Sequence, residues 1–139
     1  MRVALDTNRY VDFARGDALT VELLEAADAI LLPFVVVAEL RAGFALSKRG
    51  TENERTLRRF MARAGVDLLL PDEQTTHHYA TTFRFLRERG TPIPTNDLWI
   101  AALVLQHDLV LLDRDAHFDR LPQIPRAAAE PRGTSRPPG

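Results

Sequence analysis

Five carboxylates stand beside apolar runs, where solubility does not explain them. Asp6 follows Val3-Ala4-Leu5, Glu39 interrupts Val35-Val36-Val37-Ala38-Glu39-Leu40, and Asp97 heads the run from Leu98 to Leu105. Asp113 and Asp115 follow Leu109-Val110-Leu111-Leu112. Two carboxylates about 4 Å apart repel by roughly 4 kcal/mol at an effective dielectric of about 20, so a cluster of four needs a cation or bound protons. The chain has no cysteine, and oxygen donors without thiolates favour Mg²⁺ or Mn²⁺ over zinc. Such an ion can engage a phosphodiester oxygen, acidify an attacking water and stabilise charge on the leaving group. Without it, at least one of the acids should have a raised pKa.

Each acid also has an ordinary use. Asp6 could cap the first helix, Asp115 could cap a short helix holding Ala116, His117 and Phe118, and Asp97 suits the positive end of a helix dipole. Glu39 is harder to place, because its helical neighbours Val35, Val36, Ala42 and Gly43 offer no basic partner. A buried, unpaired carboxylate there points to function, unless a distant arginine reaches it.

Strands are expected over residues 3–5, 29–32, 66–70 and 109–112. One helix should follow Asp6 as far as about Ala27, through Val21 and Leu24. The next, entered through Pro33, covers residues 34–47. A hairpin turn at Lys48-Arg49-Gly50 leads to a helix over 51–64 with Leu57, Phe60, Met61 and Ala64 on its apolar face. Residues 72–89 form another, with Tyr79, Phe83 and Leu86 on one side, and the Asp97 helix starts after Pro94 with Thr95 as a possible N-cap. This alternation predicts a three-layer α/β/α sandwich with a mostly parallel sheet. Ligands in such sheets sit beyond the carboxyl ends of the strands, where Asp6, Asp113 and Asp115 all fall. Residues 1–125 make the expected domain, and 126–139, rich in Pro, Ala, Gly and Arg, read as a weak last strand and a disordered tail.

With 139 residues and 45% hydrophobic content, a single domain can bury a real core. The 18 basic and 19 acidic residues nearly cancel, so a nucleic-acid partner must be met by a local patch. Between Arg41 and Arg63 lie seven basic residues against Glu52 and Glu54, a local excess of five. Arg41, Lys48, Arg49, Arg55 and Arg59 are the candidates for holding a nucleic-acid backbone, and a solvated helix face is the plain alternative. His77, His78, His107 and His117 share no metal-ligand spacing and read as surface or packing residues. The apolar run after Asp97 is too short to cross a bilayer, and the charge at Asp6 comes too early for a signal peptide, so no membrane association and a cytoplasmic location are expected.

Together these residues resemble the PIN-domain ribonucleases, and most closely the VapC-type toxins of prokaryotic toxin-antitoxin pairs. The likeness runs from Met1 to about Ile124. It is carried by the first strand with Asp6-Thr7-Asn8, by Ala38-Glu39-Leu40 with Gly43 after it, by Asn96-Asp97 with Trp99-Ile100-Ala101-Ala102, and by Asp115 to Phe118. The resemblance implies that Asp6, Glu39, Asp97 and Asp115 line one divalent-metal pocket, with Asp6, Asp97 and Asp115 as ligands and Thr7 as a nearby hydroxyl. Asn8 and Asn96 are supporting candidates that could instead form turns or caps. Many relatives have Thr or Ser where this chain has Asp113; the spacing to Phe118 favours Asp115 as the fourth acid, with Asp113 able to share or take that role. Further implications are a Mg²⁺- or Mn²⁺-dependent endoribonuclease leaving a 5′-phosphate and a 3′-hydroxyl, a homodimer, and an antitoxin bound beside the basic helices.

Other classes fit less well. A phosphoryl-accepting receiver needs a lysine beyond a late strand, and the single lysine is Lys48. A haloacid-dehalogenase-type phosphatase wants an aspartate where Asn8 stands, and no Gly-rich phosphate loop occurs. A catalytically silent PIN-like module that binds RNA or protein is the nearest rival, and retention of four candidate acids speaks against it.

Overall fold

A computed structural model of the chain describes residues 1–127; the tail expected to be disordered lies, from residue 128 on, outside the described residues. The elements run β1 (Arg2–Leu5), α1 (Thr7–Ala14), α2 (Ala18–Ala26), β2 (Ala29–Pro33), α3 (Phe34–Leu46), α4 (Gly50–Met61), β3 (Val66–Leu69), α5 (Glu73–Glu88), α6 (Thr95–Gln106) and β4 (Val110–Leu112), with a 3₁₀ turn over Ala116–Arg120. The three-layer α/β/α reading holds.

All four strands are parallel, in the order β3-β2-β1-β4. Val3, Ala4 and Leu5 are buried throughout, as expected of a central strand covered on both faces. The chain winds outward from β1 to β2 and β3, then returns to place β4 on the other side of β1. That reversal opens a crevice beyond the carboxyl ends of β1 and β4, the usual place for a ligand. The Asp6 amide donates to the Leu112 carbonyl at 3.1 Å, keeping these two strand ends together.

Helix α6 passes through the core with Leu98, Ile100, Ala101, Ala102, Leu103 and Val104 all buried. Burial of each large aliphatic side chain contributes about 1.5–3 kcal/mol, which anchors the helix whose first turn carries Asp97. Trp99 fixes its orientation, packing on Tyr79 of α5 at 4.5 Å and edge-on to Phe34 of α3 at 6.1 Å between ring centres.

Several boundaries differ from expectation, each for a local reason. The first long helix is two helices, because Gly16 adopts φ +81° and Asp17 starts a new one by accepting from the Thr20 amide at 3.0 Å. Pro94, not Thr95, occupies the cap position of α6, and no side chain caps it. Helix α4 ends at Met61, so Ala64 lies beyond its apolar face and is exposed. The α3–α4 hairpin needs glycine at its turn, since a Cβ on Gly50 would sit 2.2 Å from the Phe44 carbonyl oxygen. The weak last strand amounts to one parallel bridge between Arg126 and Leu111. Among the described residues no helix is long and apolar enough to cross a membrane.

Candidate active site

Asp6 directly follows β1 and is the N-cap of α1, accepting from the Thr7 amide at 2.8 Å through Oδ1. It is 4% exposed. Burial pushes its pKa up to about 7, against the Thr7 hydrogen bond and with smaller contributions from the charges on Asp97, Asp113 and Asp115. Capping alone does not call for an acid so deeply desolvated.

Asp97 lies in the first turn of α6, nearly buried. Its pKa is raised, first by desolvation and then by the charges of Asp115 and Glu39, with the His117 hydrogen bond and charge opposing. Asp115 caps the 3₁₀ turn by accepting from the His117 amide at 2.9 Å. The two acids face one another across the His117 ring, whose Nδ1 is 2.8 Å from Asp97 Oδ2 and 3.0 Å from Asp115 Oδ1. One donor atom from each of Asp97, Asp115 and His117 lies within 4.8 Å of the others.

Asp6 and Glu39 stand outside this tight trio, close enough for their charges to act on it. Glu39 is exposed rather than buried, because the face of α3 carrying Ala38 and Glu39 turns away from the core side held by Val35, Val36, Val37 and Leu40. It meets no arginine and instead accepts from the Thr7 hydroxyl at 3.1 Å. Asn8 and Asn96 are exposed, and the carboxylates take their hydrogen bonds from Thr7 and His117 instead.

Asp113, although near enough for its charge to act on Asp6, differs from the other acids in being paired with an arginine. Its side chain is 1% exposed, and Arg126 donates Nε to Oδ1 at 2.9 Å and Nη2 to Oδ2 at 2.7 Å. The Asp115 amide adds a third bond to Oδ2 at 2.9 Å. The other nearby arginines are also committed: Arg114 grips Asp12 through two bonds, and Arg9 reaches Asp12 and the Asp113 carbonyl. Among the described residues no arginine or lysine pairs with Asp6, Glu39, Asp97 or Asp115. Four carboxylates with no arginine or lysine partner, Asp6 and Asp97 among them desolvated, beside an imidazole, fit a divalent cation.

Two of these features are not evident from sequence. His117, expected at the surface or in packing, sits on two of the acids, and its place immediately after the cap at Asp115 is the available signal. Arg126 lies in a stretch that reads as tail, and nothing local marks it as Asp113's partner.

Beside the acids a groove of about 560 Å³ runs between α1, α3 and α4, bordered by Thr7, Tyr10, Glu39, Gly43 and Asn53. On the outer face of the hairpin, Arg41 donates twice to Glu54, Arg58 donates to the same carboxylate, and Arg49 pairs with Glu52. Lys48, Arg55 and Arg59 are exposed and in no ion pair among the described residues.

A four-stranded parallel sheet with acids gathered at the β1/β4 switch is the arrangement of a PIN domain, and the PIN domain family model matches residues 3–124. The chain belongs to the PIN-domain family. Its relatives include Ribonuclease VapC1 of Haemophilus influenzae, 30% identical over 125 residues that cover 86% of this chain and 92% of that protein. Among solved structures, VapBC-1 from nontypeable Haemophilus influenzae superposes with a TM-score of 0.82 at 27% identity, covering 93% of this chain and 98% of that one. VapBC-5 of Mycobacterium tuberculosis, a member of the VapBC family of toxin-antitoxin systems, shares the fold with a TM-score of 0.71 at 24% identity, over 91% of this chain and 100% of that one.

Proposed function

We propose that residues 1–125 form a Mg²⁺- or Mn²⁺-dependent endoribonuclease, the toxin of a type II toxin-antitoxin pair acting in the cytoplasm. The observation that carries this reading is the meeting of Asp97 and Asp115, with Asp6 and Glu39 close by, at the β1/β4 switch without a neutralising arginine among the described residues. The VapC and VapBC relatives support the assignment to RNA and to an antitoxin partner.

Asp6, Asp97 and Asp115 would hold the ion, which when bound supplies Lewis acidity toward a phosphodiester and its attacking water. Oxygen donors and the absence of thiolate suit Mg²⁺ or Mn²⁺. Asp97 and Asp115, side by side at this point, would flank the attacking water, and either could take its proton. Glu39, steadied by Thr7, stands at the mouth where the scissile phosphate enters. In-line attack leaves a 5′-phosphate and a 3′-hydroxyl.

Acids at the centre repel RNA, so binding must come from outside them. Lys48, Arg55 and Arg59 offer uncommitted charge, and Arg41 and Arg49 sit in exposed ion pairs weak enough to be exchanged for a phosphate. The adjoining groove suits an antitoxin segment that would cover the Glu39 side of the site. A homodimer follows the pattern of the family.

The test is RNA cleavage by protein purified free of antitoxin, with Mg²⁺ or Mn²⁺, with EDTA, and with Asp97→Asn. Cleavage should require the ion and fall by at least about a hundredfold in the variant. Equal cleavage by the variant, or cleavage that survives chelation, contradicts the reading.

A further inference from the structure

We propose that His117 is itself a ligand of the metal ion, so that the site offers an imidazole nitrogen with carboxylate oxygens and prefers Mn²⁺ to Mg²⁺. This rests on the nuclease reading above and adds to it the identity of the ion and a residue outside the family's set of acids.

The geometry comes first. Nδ1 is 2.8 Å from Asp97 Oδ2 and 3.0 Å from Asp115 Oδ1, so the three residues bring one donor atom each within 4.8 Å of one another, close enough to share a single ion. The ring is not a loose surface group that happens to fall there. Its backbone amide is tied to Asp115 at 2.9 Å, and the next residue, Phe118, is 1% exposed and locked in the core. Sequence neighbours on a short turn anchored at both ends thus deliver an oxygen donor and a nitrogen donor to one point. An ion entering between Asp97 and Asp115 therefore meets Nδ1 as a third donor.

Donor chemistry then discriminates between ions. Mg²⁺ is hard, demands near-ideal octahedral oxygen surroundings and gives up its waters reluctantly. Mn²⁺ takes carboxylates as Mg²⁺ does and stands lowest in the first-row affinity series, but it exchanges a water for an imidazole nitrogen more readily than the tightly hydrated Mg²⁺. A site of three carboxylates and one imidazole is therefore biased toward Mn²⁺ over Mg²⁺, whereas an all-carboxylate site would not be.

The experiment uses the full chain, free of antitoxin, and reads ion binding rather than cleavage. Mn²⁺ affinity is measured from the electron paramagnetic resonance of the free ion, Mg²⁺ affinity by competition, and nitrogen ligation from electron-spin-echo modulation of bound Mn²⁺. His117→Ala and His117→Asn are compared with the parent chain, with circular dichroism melts to confirm that both fold. The parent should show imidazole-nitrogen modulation, absent in both variants, and Mn²⁺ affinity should fall by at least about tenfold while Mg²⁺ affinity falls far less. Bound Mn²⁺ without nitrogen modulation, an equal loss for both ions, or tighter binding in His117→Ala overturns the inference while leaving the nuclease reading intact. A parent chain that binds neither ion overturns both.

Discussion

Arg126 holds Asp113 by two parallel hydrogen bonds, at 2.9 and 2.7 Å, while the neighbouring Asp115 has no arginine on its carboxylate. Both oxygens of Asp113 are in use, the second also accepting from the Asp115 amide, whereas Asp115 faces Asp97. This pair, an exposed arginine on a buried aspartate, fastens the segment after β4 to the bridge at Leu111 and helps to set where Asp115 stands. Arg126→Ala should lower unfolding free energy by roughly 3 kcal/mol, because it strands a desolvated carboxylate. Asp113→Asn, which keeps one oxygen for Arg126 or the Asp115 amide, should weaken Mn²⁺ binding far less than Asp115→Asn, which removes a ligand. Urea unfolding and ion titration check the two halves.

Asp6 gives a pH signature. With a folded pKa of about 7 against an ordinary 3.8, it takes up a proton on folding between those limits, so its contribution to stability is most favourable in acid and declines as pH rises toward 7. Asn at this position keeps the cap and carries no charge. In EDTA, the stability of Asp6→Asn relative to the parent should therefore increase by about 2 kcal/mol between about pH 5.5 and about pH 8, at about 1.4 kcal/mol per proton per pH unit. The paired acids Asp12, Glu52, Glu54 and Asp72, whose pKa values are lowered, lose their stabilisation only in stronger acid and fall outside this window. Denaturant melts across pH read the difference; a margin that is flat or shrinks with pH contradicts the placement of Asp6.

The α3–α4 hairpin makes a separable contribution. Reversing charge at Arg55 and Arg59 should weaken RNA binding and flatten its salt dependence, by about 0.7 in the log–log slope for each phosphate no longer neutralised, without altering ion affinity. Arg41→Ala should cost less, since it removes one charge that is already shared with Glu54, which keeps Arg58 as a partner. Fluorescence anisotropy with a catalytically silenced Asp97→Asn background measures both.

Gly50→Ala tests how that hairpin is closed. The new methyl would collide with the Phe44 carbonyl, a backbone atom that cannot swing aside, and should destabilise the fold by roughly 1–3 kcal/mol. Stability equal to the parent would show that the turn has slack.

Much of this is legible in the residues. Buried parallel strands announce themselves as unbroken apolar runs, which locate β1 and β4 and hence the acids at their ends. Asp97 stands out because α6 is apolar on nearly every side. The rest is set by partners distant in the chain. Arg126 and Asp113 are brought together by a bridge to Leu111 that no local pattern encodes, and His117 meets Asp97 only after α6 and the 3₁₀ turn pack together. Glu39 reads as buried because its neighbours are valines, although α3 turns them inward and leaves the acid outside. The split between α1 and α2 is visible in Gly16-Asp17, a left-handed glycine followed by a capping aspartate, but the apolar periodicity running past it masks the break.

Anomalous diffraction from crystals of the antitoxin-free protein grown with Mn²⁺ reads most directly whether these acids share an ion. A strong peak should lie between Asp97 and Asp115, within bonding reach of an oxygen from each and on the side facing Asp6. Manganese found elsewhere, or none in that space with the His117 ring still bridging the two carboxylates, would contradict the account.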